Sequence, residues 1–163
     1  MNQIKLQDKP QEMQDLVEAV QAALEEATII DKIFCREDDV VLSCRAHMEG
    51  MPFALDAFVV LDDDLRNGKN MYSLEVDGDI ENKESLINLC NRINRSYRFL
   101  KFYVDDDGDV MAHYDLLLFG DNTVKAKIVV CAYHVFTQIL RKNIPQILKT
   151  VWALQDTETE EES

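Results

Sequence analysis

The sequence is poor in glycine and proline, with 5 Gly and 3 Pro among 163 residues. The glycines never stand closer than ten positions apart, which is the spacing of Gly68 and Gly78. Neither of the glycine-rich loops that cradle nucleotide phosphates, G-x-G-x-x-G and G-x-x-x-x-G-K-[ST], is therefore present. This absence excludes the common nucleotide-using enzyme classes. The composition, 47% hydrophobic and 29% charged, also excludes a disordered or collagen-like chain.

Closely spaced cysteines and long apolar runs are missing as well. No two of the four cysteines form a C-x-x-C pair, so zinc and redox motifs are absent. No segment approaches the roughly 20 apolar residues that span a bilayer, and residues 1–9 lack the apolar core of a signal peptide. We expect a cytoplasmic protein without a membrane partner and with reduced cysteines that pack as small apolar side chains. These are Cys35, Cys44, Cys90 and Cys131.

Positive charge is scarce: 31 acidic residues face 17 Lys and Arg, giving a formal net charge of −14. Nucleic-acid backbones attract surfaces rich in Lys and Arg, so we expect no nucleic-acid partner. One basic cluster interrupts the acidic chain. Such a cluster can hold an acidic partner, although solvated side chains around a helix end are the commoner explanation. Its members are Arg92, Arg95, Arg98 and Lys101.

Hydrophobic periodicity predicts three helical regions. Apolar residues at i, i+3, i+4 and i+7 spacing predict helices over about 10–27 and about 82–97. A long helix begins at Asp121 or Asn122. Its apolar face consists of Ile128, Cys131, Ala132, Val135, Phe136 and Ile139. We expect a break at 143–145, because proline removes a helix hydrogen bond, and a shorter helix that buries Trp152. Residues 1–9 are predicted to be a frayed polar lead-in.

Alternating segments predict the strands. Three or four of them fall between residues 29 and 76, with a solvent loop at 62–70 and polar turns at 48–51 and 77–79. A hairpin follows, with strands at 99–104 and 110–119 joined through a tip that contains Asp107-Gly108. The predicted fold class is α+β in the order α-β(3-4)-α-β-β-α, a predominantly antiparallel sheet with helices packed on it. We expect one domain over 1–154 and a disordered acidic tail over 155–163.

No catalytic, cofactor-binding or metal site is predicted. The acidic run 105–109 lacks the register of an EF-hand loop, because the required glycine and the first acid cannot both be placed. The three histidines, His47, His113 and His134, form neither H-E-x-x-H nor H-x-H. No serine or cysteine stands in a G-x-S-x-G context. A triad assembled in space from distant residues stays open.

A second apolar side of the sheet predicts a homodimer. If Leu100 and Phe102 point inward, apolar residues also occupy the opposite side of the hairpin and of the earlier strands. So much apolar surface exceeds what a soluble monomer normally exposes. The chain's own helices, a client peptide or a second copy must cover it, and a second copy is favoured. The predicted partner face consists of Val41, Phe58, Val60, Phe99, Tyr103, Met111, His113 and Leu117.

The second half of the chain resembles a known family. Ile93-Asn94, the segment 98–104, Asp107-Gly108-Asp109-Val110, Asp115-Leu116-Leu117-Leu118 and a long helix ending in Ile144-Pro145 resemble the YbjN family of bacterial regulators. The similarity is strongest over 82–153. It implies a fold like that of type III secretion chaperones, which are commonly dimeric, and it brings no catalytic residues or cofactors.

The resulting prediction is a non-enzymatic, cytoplasmic binding or regulatory protein of the YbjN type that acts through protein–protein contacts. Two alternatives stay open. One is a chaperone for a protein or peptide client, which only the fold likeness implies. The other is an enzyme whose site is assembled in space from distant residues, although the sequence contains no motif that indicates one.

Overall fold

A computed structural model describes residues 4–47, 54–76 and 83–161, with side chains as far as Ala153. Within these residues it has three α-helices and six strands, in the predicted α+β class with four strands before the second helix. The strand order is β1-β2-β3-β4-β6-β5, and the β1–β2 and β2–β3 pairs are antiparallel. The elements are α1 (Gln11–Glu25), β1 (Ile29–Cys35), β2 (Asp39–His47), β3 (Ala54–Asp62), β4 (Asn67–Leu74), α2 (Glu84–Asn94), β5 (Leu100–Val104), β6 (Val110–Leu117) and α3 (Asn122–Glu161).

The chain divides into two compact units. Unit 1 comprises Met1–Met71 and Tyr114–Thr137, and unit 2 comprises Tyr72–His113 and Gln138–Ser163. β4, β6 and α3 each contribute residues to both units. The single domain over 1–154 stays a prediction. The predicted turns at 48–51 and 77–79, and the predicted strand residue Phe53, lie outside the described residues.

Unit 1 is built on α1 and the β2–β3 pair. The apolar stripe of α1 is buried as its spacing predicts, with Leu16 and Val20 inaccessible to solvent. β2 and β3 pair antiparallel, with Val41 opposite Val60 and Leu42 opposite Val59. All four of these side chains are buried, although neighbours in a strand point to opposite faces. Both faces of this pair are therefore covered.

The segment before α1 is anchored rather than frayed. Nζ of Lys9 lies 2.9 and 2.7 Å from the two carboxylate oxygens of Asp63, and it donates to the carbonyl oxygen of Glu37 at 2.9 Å. The Lys9 side chain is 5% exposed. A buried ammonium is tolerated only when it is paired and hydrogen-bonded, as here. The predicted polar lead-in is wrong for the 3₁₀ turn Leu6–Asp8 and for Lys9.

β4 begins at Asn67, so the predicted solvent loop 62–70 is too long. The turn is confined to 63–66, where the Asp64 carboxylate accepts the backbone N–H groups of Arg66 and Asn67. The Arg66 N–H first, and then the Asn67 amide, lower the pKa of Asp64. Gly68 is buried, and a Cβ there would stand 2.7 Å from the carbonyl oxygen of Val60. Asn67-Gly68 thus permits close strand packing instead of forming a turn.

Unit 2 is built on α2 and the β5–β6 hairpin. The α2 stripe that contains Leu86, Leu89 and Cys90 is buried as predicted. The Asn94 amide docks the end of this helix on β5, because its Nδ2 donates to the Phe102 carbonyl and its Oδ1 accepts the Phe102 N–H, both at 2.8 Å. These two bonds fix the segment between α2 and β5 against the hairpin.

α3 continues through Pro145, which lies inside the helix, so the predicted break is wrong. The cost of an internal proline, about 3 kcal/mol, is offset because the Leu140, Ile144 and Ile147 side chains are fully buried on one stripe. The same continuous register leaves Trp152 57% exposed, so its predicted burial is also wrong. The helix is assigned as far as Glu161, where the sequence predicts a disordered tail.

The buried stripe of the first half of α3 also differs from the predicted one. Of the predicted face, Ala132 and Phe136 are buried, but Cys131 and Val135 are exposed. Val129 and Tyr133, which lie outside the predicted face, are buried as well. This helix has apolar residues on more than one side, so periodicity alone does not define which side faces the core.

Candidate functional site

The outward face of the β5–β6 hairpin in unit 2 is the best-formed candidate surface. Along β5, buried Leu100 and Phe102 alternate with exposed Lys101 and Tyr103. β6 continues the alternation: Val110 and Ala112 are buried, and Met111 and His113, which follow them in turn, are half-buried. Phe99, just before β5, is 68% exposed, and Tyr103 is 37% exposed. We call four of the outward side chains, the uncharged ones and the histidine, the hairpin surface: Phe99, Tyr103, Met111 and His113.

The side chains of Tyr103 and His113 contact each other across β5 and β6. The Oη atom of Tyr103 lies 3.1 Å from Nε2 of His113, and the rings meet edge to face with centroids 5.1 Å apart. Partial burial, and to a smaller extent the Asp105 carboxylate, raise the pKa of Tyr103. The phenol therefore stays protonated at neutral pH. The pair presents a fixed aromatic side to solvent.

The other four residues of the predicted partner face belong to unit 1 and do not share one environment. Val41 is 3% and Val60 is 1% exposed, so including them in an accessible face is wrong. Phe58 is half-buried, and Leu117 is 68% exposed. Alternation in the sequence cannot distinguish an open face from one that the chain itself covers, because both are apolar.

The basic cluster lies at the end of α2 and the start of β5, within unit 2. All four cationic side chains are exposed, and none makes an ion pair with any residue of the described chain. Lys101 Nζ donates to the carbonyl oxygen of Tyr97 at 3.2 Å. Tyr97 in turn is held at its hydroxyl by Asn143 Nδ2 at 3.0 Å. The cluster, Arg92, Arg95, Arg98 and Lys101, thus stands on a fixed backbone beside Phe99.

An open groove runs between α1 and the first half of α3 in unit 1. Its volume is about 470 Å³, and Cys131 lies exposed in its wall rather than packed as predicted. Among the described side chains, no hydrogen bond or ion pair joins Glu26, Thr123 and Lys127, the polar residues of the groove. They therefore do not form a preorganised acid–base arrangement. The remaining wall is apolar: Ala19, Ala22, Ala23, Ala126 and Val130.

Two carboxylates of the acidic run 105–109 accept backbone N–H groups. The Asp105 side chain accepts the N–H of Asp109 at 2.9 Å, and the Asp109 side chain accepts that of Val76 at 3.0 Å. Gly108, with a φ of 92°, closes this hairpin tip in a conformation that glycine adopts without strain. Among the described residues there is no group of three or more His, Cys, Asp or Glu side chains placed to hold a metal ion.

The buried thiols are unsuited to nucleophilic chemistry. Burial raises the pKa of Cys44 to about 12 and that of Cys90 to about 11. The thiolate is the reactive form, so both cysteines are inert at neutral pH. Their predicted packing as apolar side chains is confirmed by their exposures of 0% and 2%.

Asn70 is a buried polar residue that sequence reasoning missed. It lies in β4 of unit 1 with no exposed surface, and neither its Oδ1 nor its Nδ2 has a hydrogen-bond partner among the described residues. An unpaired buried amide costs about 1–3 kcal/mol. The groove between α1 and α3 does not include Asn70.

The described helices do not include a candidate membrane span. None of them combines the length and the apolar character that crossing a bilayer requires.

Comparison with known proteins identifies relatives of this fold. The crystal structure of YbjN from E. coli, titled a putative transcription regulator, superposes with a TM-score of 0.51 at 15% identity, over 80% of this chain and 92% of that one. At this identity the match shows a shared fold. A search of curated protein sequences returns no match. The family model YbjN, described as "Putative bacterial sensory transduction regulator", matches residues 14–148. The chain belongs to the YbjN family.

Proposed function

We propose that this chain is a non-enzymatic regulatory protein that acts by binding an apolar segment of another protein through the hairpin surface. The observation that carries the proposal is the exposure of Phe99, 68%, beside the partly exposed Tyr103 on the outward face of the hairpin. Aromatic side chains are enriched among the residues that contribute most to protein–protein affinity. Membership of a family described as regulatory supports the same function.

Rigidity favours a binding role for this surface. The Tyr103–His113 contact, at 3.1 Å, restrains both side chains before any partner arrives. Fewer rotamers are then lost on association, and each immobilised side chain would otherwise cost about 0.5–1.5 kcal/mol. The cytoplasm is the proposed compartment, since the four cysteines are free thiols, as reducing conditions would keep them.

A complementation experiment in a deletion strain tests the function. The double variant Phe99→Ser/Tyr103→Ser should fold with unchanged circular dichroism but fail to restore the transcript profile of the wild-type strain. The matched control is Ile29→Ser/Phe119→Ser, which removes two apolar side chains that are 67% and 63% exposed in unit 1. We expect the control to restore the profile fully.

Site-specific cross-linking identifies whether a protein contacts the surface. A photoreactive phenylalanine analogue at Phe99 should give a discrete cross-linked band in cells, and the same analogue at Phe119 should not. Full complementation by Phe99→Ser/Tyr103→Ser, together with no cross-link at position 99, would overturn the proposal.

A further inference from the structure

The groove between α1 and the first half of α3 has walls of opposite charge. α1, together with the Glu26 that follows it, carries five acids and no Lys or Arg. Residues 122–137, the part of α3 in unit 1, carry two lysines and no acid. One acid and one lysine, Glu26 and Lys127, lie in the walls themselves. Both side chains are exposed, and neither makes an ion pair with another described residue.

The two walls also leave apolar surface uncovered. On α1, Ala22 is exposed, and Ala19 and Ala23 are half-buried. On α3, Cys131 is exposed and Val135, one turn further along, is 43% exposed. The distance between two packed helices depends on the size of the side chains at the contact, so the alanines of α1 allow another helix to approach closely. Short side chains on one wall and larger ones on the other are complementary in shape.

The two helices run in the same direction along the groove. The hydroxyl of Thr28, two residues beyond Glu26, lies 3.2 Å from the hydroxyl of Tyr133. The C-terminal end of α1 is therefore level with the part of α3 around Tyr133, and the groove residues of both helices precede this level. This common direction determines which helices meet when two copies of the groove face each other.

Of the two symmetric ways to place two copies face to face, one pairs opposite charges. A two-fold axis parallel to the helices places α1 of each copy over α3 of the other, so the acidic helix meets the basic one twice. A two-fold axis that crosses the helices places α1 over α1 instead, and five acids of one copy then face five of the other. Like charges brought together at an interface disfavour association. Charge therefore selects the axis parallel to the helices.

Self-complementarity favours a second copy of the chain as the occupant of the groove. A two-fold interface requires one patch that fits its own copy, and this patch carries both the acidic and the basic helix. A uniformly acidic or uniformly basic partner would be attracted by one wall and repelled by the other. A second copy satisfies both walls at once.

We propose that the groove is the interface of a homodimer in which α1 of each copy packs on the first half of α3 of the other. Glu26 of one copy then pairs with Lys127 of the other, and Cys131 and Val135 pack against the alanines of the second α1. The proposal goes beyond the function argued above, which does not require self-association. It also differs from the homodimer predicted from the sequence, in which apolar sheet faces meet.

Reversing one charge of the pair tests the contact. Sedimentation velocity of the full chain at about 50 mM salt, where screening is weak, gives the dimer dissociation constant. Glu26→Lys and, separately, Lys127→Glu should each raise this constant at least tenfold, because each variant places like charges at both contacts. For Glu26→Lys this is the opposite of what the smaller net negative charge alone would do. The matched control Lys32→Glu changes an exposed lysine of β1 and should dimerise as the wild type does.

Mixing the two variants is the decisive measurement. A copy with Glu26→Lys and a copy with Lys127→Glu restore opposite charges at both contacts, so the mixture should dimerise as tightly as the wild type. A single chain that carries both changes should do the same. Single variants that dimerise as tightly as the wild type, or a mixture that does not recover, would overturn the proposal. If a reversed variant has an altered circular dichroism spectrum, Glu26→Gln and Lys127→Gln repeat the single-variant test.

The reactivity of Cys131 shows where the copies meet. This thiol is exposed in the groove wall, so the dimer should slow its alkylation by iodoacetamide at least tenfold relative to the dilute monomer. Cys35, half-buried in β1, is the internal control and should react at the same rate in both states. A wild type that stays monomeric at about 100 μM, or a dimer that leaves Cys131 unprotected, would contradict the proposal. Neither result affects the complementation test of the hairpin surface.

Discussion

Two strand pairs that both carry apolar residues on their two faces have different surroundings in this protein. The β2–β3 pair in unit 1 buries consecutive residues, including Val40, Val41 and Leu42, so both of its faces are covered. The β5–β6 hairpin in unit 2 alternates, burying Leu100 and leaving Tyr103 outside. An apolar residue on the second face of a strand therefore has two meanings. In β2–β3 it is core, and on the hairpin it is a candidate binding surface.

The sharpest test of this difference uses two phenylalanines of the hairpin segment. Phe102 is 1% and Phe99 is 68% exposed. Phe102→Ala should lower the free energy of unfolding by about 3–5 kcal/mol, because it leaves a cavity in the core. Phe99→Ala should change it by no more than about 0.5 kcal/mol, as exposed substitutions do. Urea unfolding measures both. Equal losses would show that the hairpin has no open face.

One end of each strand pair is held by carboxylates in a different way. Lys9 pairs with Asp63 at the end where β2 begins and β3 finishes, whereas the hairpin tip between β5 and β6 relies on carboxylates that accept backbone N–H groups. Asp63→Ala should cost about 2–3 kcal/mol, below the value for a fully buried pair because Asp63 is about one-third exposed. Removing the exposed partner of another pair, in Arg36→Ala, should cost less than about 1 kcal/mol. Thermal unfolding at constant pH compares them, and a larger loss for Arg36→Ala would contradict the assignment.

A threonine substitution tests whether the second face of β3 is covered by the chain itself. Val60→Thr keeps the side-chain shape but buries a hydroxyl group, so it should cost about 1–3 kcal/mol. Leu117→Thr, at a residue that is 68% exposed, should stay within about 0.5 kcal/mol. Chemical denaturation at low protein concentration, where self-association is absent, gives both values. A neutral Val60→Thr would indicate that this face is open in the monomer.

Local pattern was sufficient for the first helix, whose apolar residues lie on one side, and for the hairpin, whose tip has the composition of a turn. The first helix, predicted at about 10–27, forms at Gln11–Glu25, and the hairpin forms around Asp107-Gly108 as expected. In both, side-chain spacing and turn chemistry agree with tertiary packing.

Pattern failed where distant contacts decided the outcome. Asn67-Gly68 has the composition of a turn, yet Gly68 packs beside the Val60 carbonyl oxygen in a strand. The sequence around Lys9 predicts a solvated lysine, but in the fold its Nζ lies 2.7 Å from a carboxylate oxygen of Asp63, which is 54 residues away in the sequence. The candidate site was predicted only in part, because distant contacts also decide which strand faces are covered. Sequence parity identified the outward side chains of the hairpin, but it could not show that Val41 and Val60 are covered.

The smallest expected effect concerns Trp152, for which sequence and structure give opposite expectations. A helix that restarts after Pro145 would bury it, and its truncation would then cost about 3–5 kcal/mol. In the continuous helix the buried position is Val151, 5% exposed, and Trp152 points about 100° away. Trp152→Ala should therefore cost less than about 1 kcal/mol. Because Trp152 is the sole tryptophan, the fluorescence emission of the native protein reports the exposure of this side chain without a mutation. The fluorescence emission of the dilute monomer should resemble that of the unfolded chain. A strongly blue-shifted maximum would show instead that Trp152 is buried.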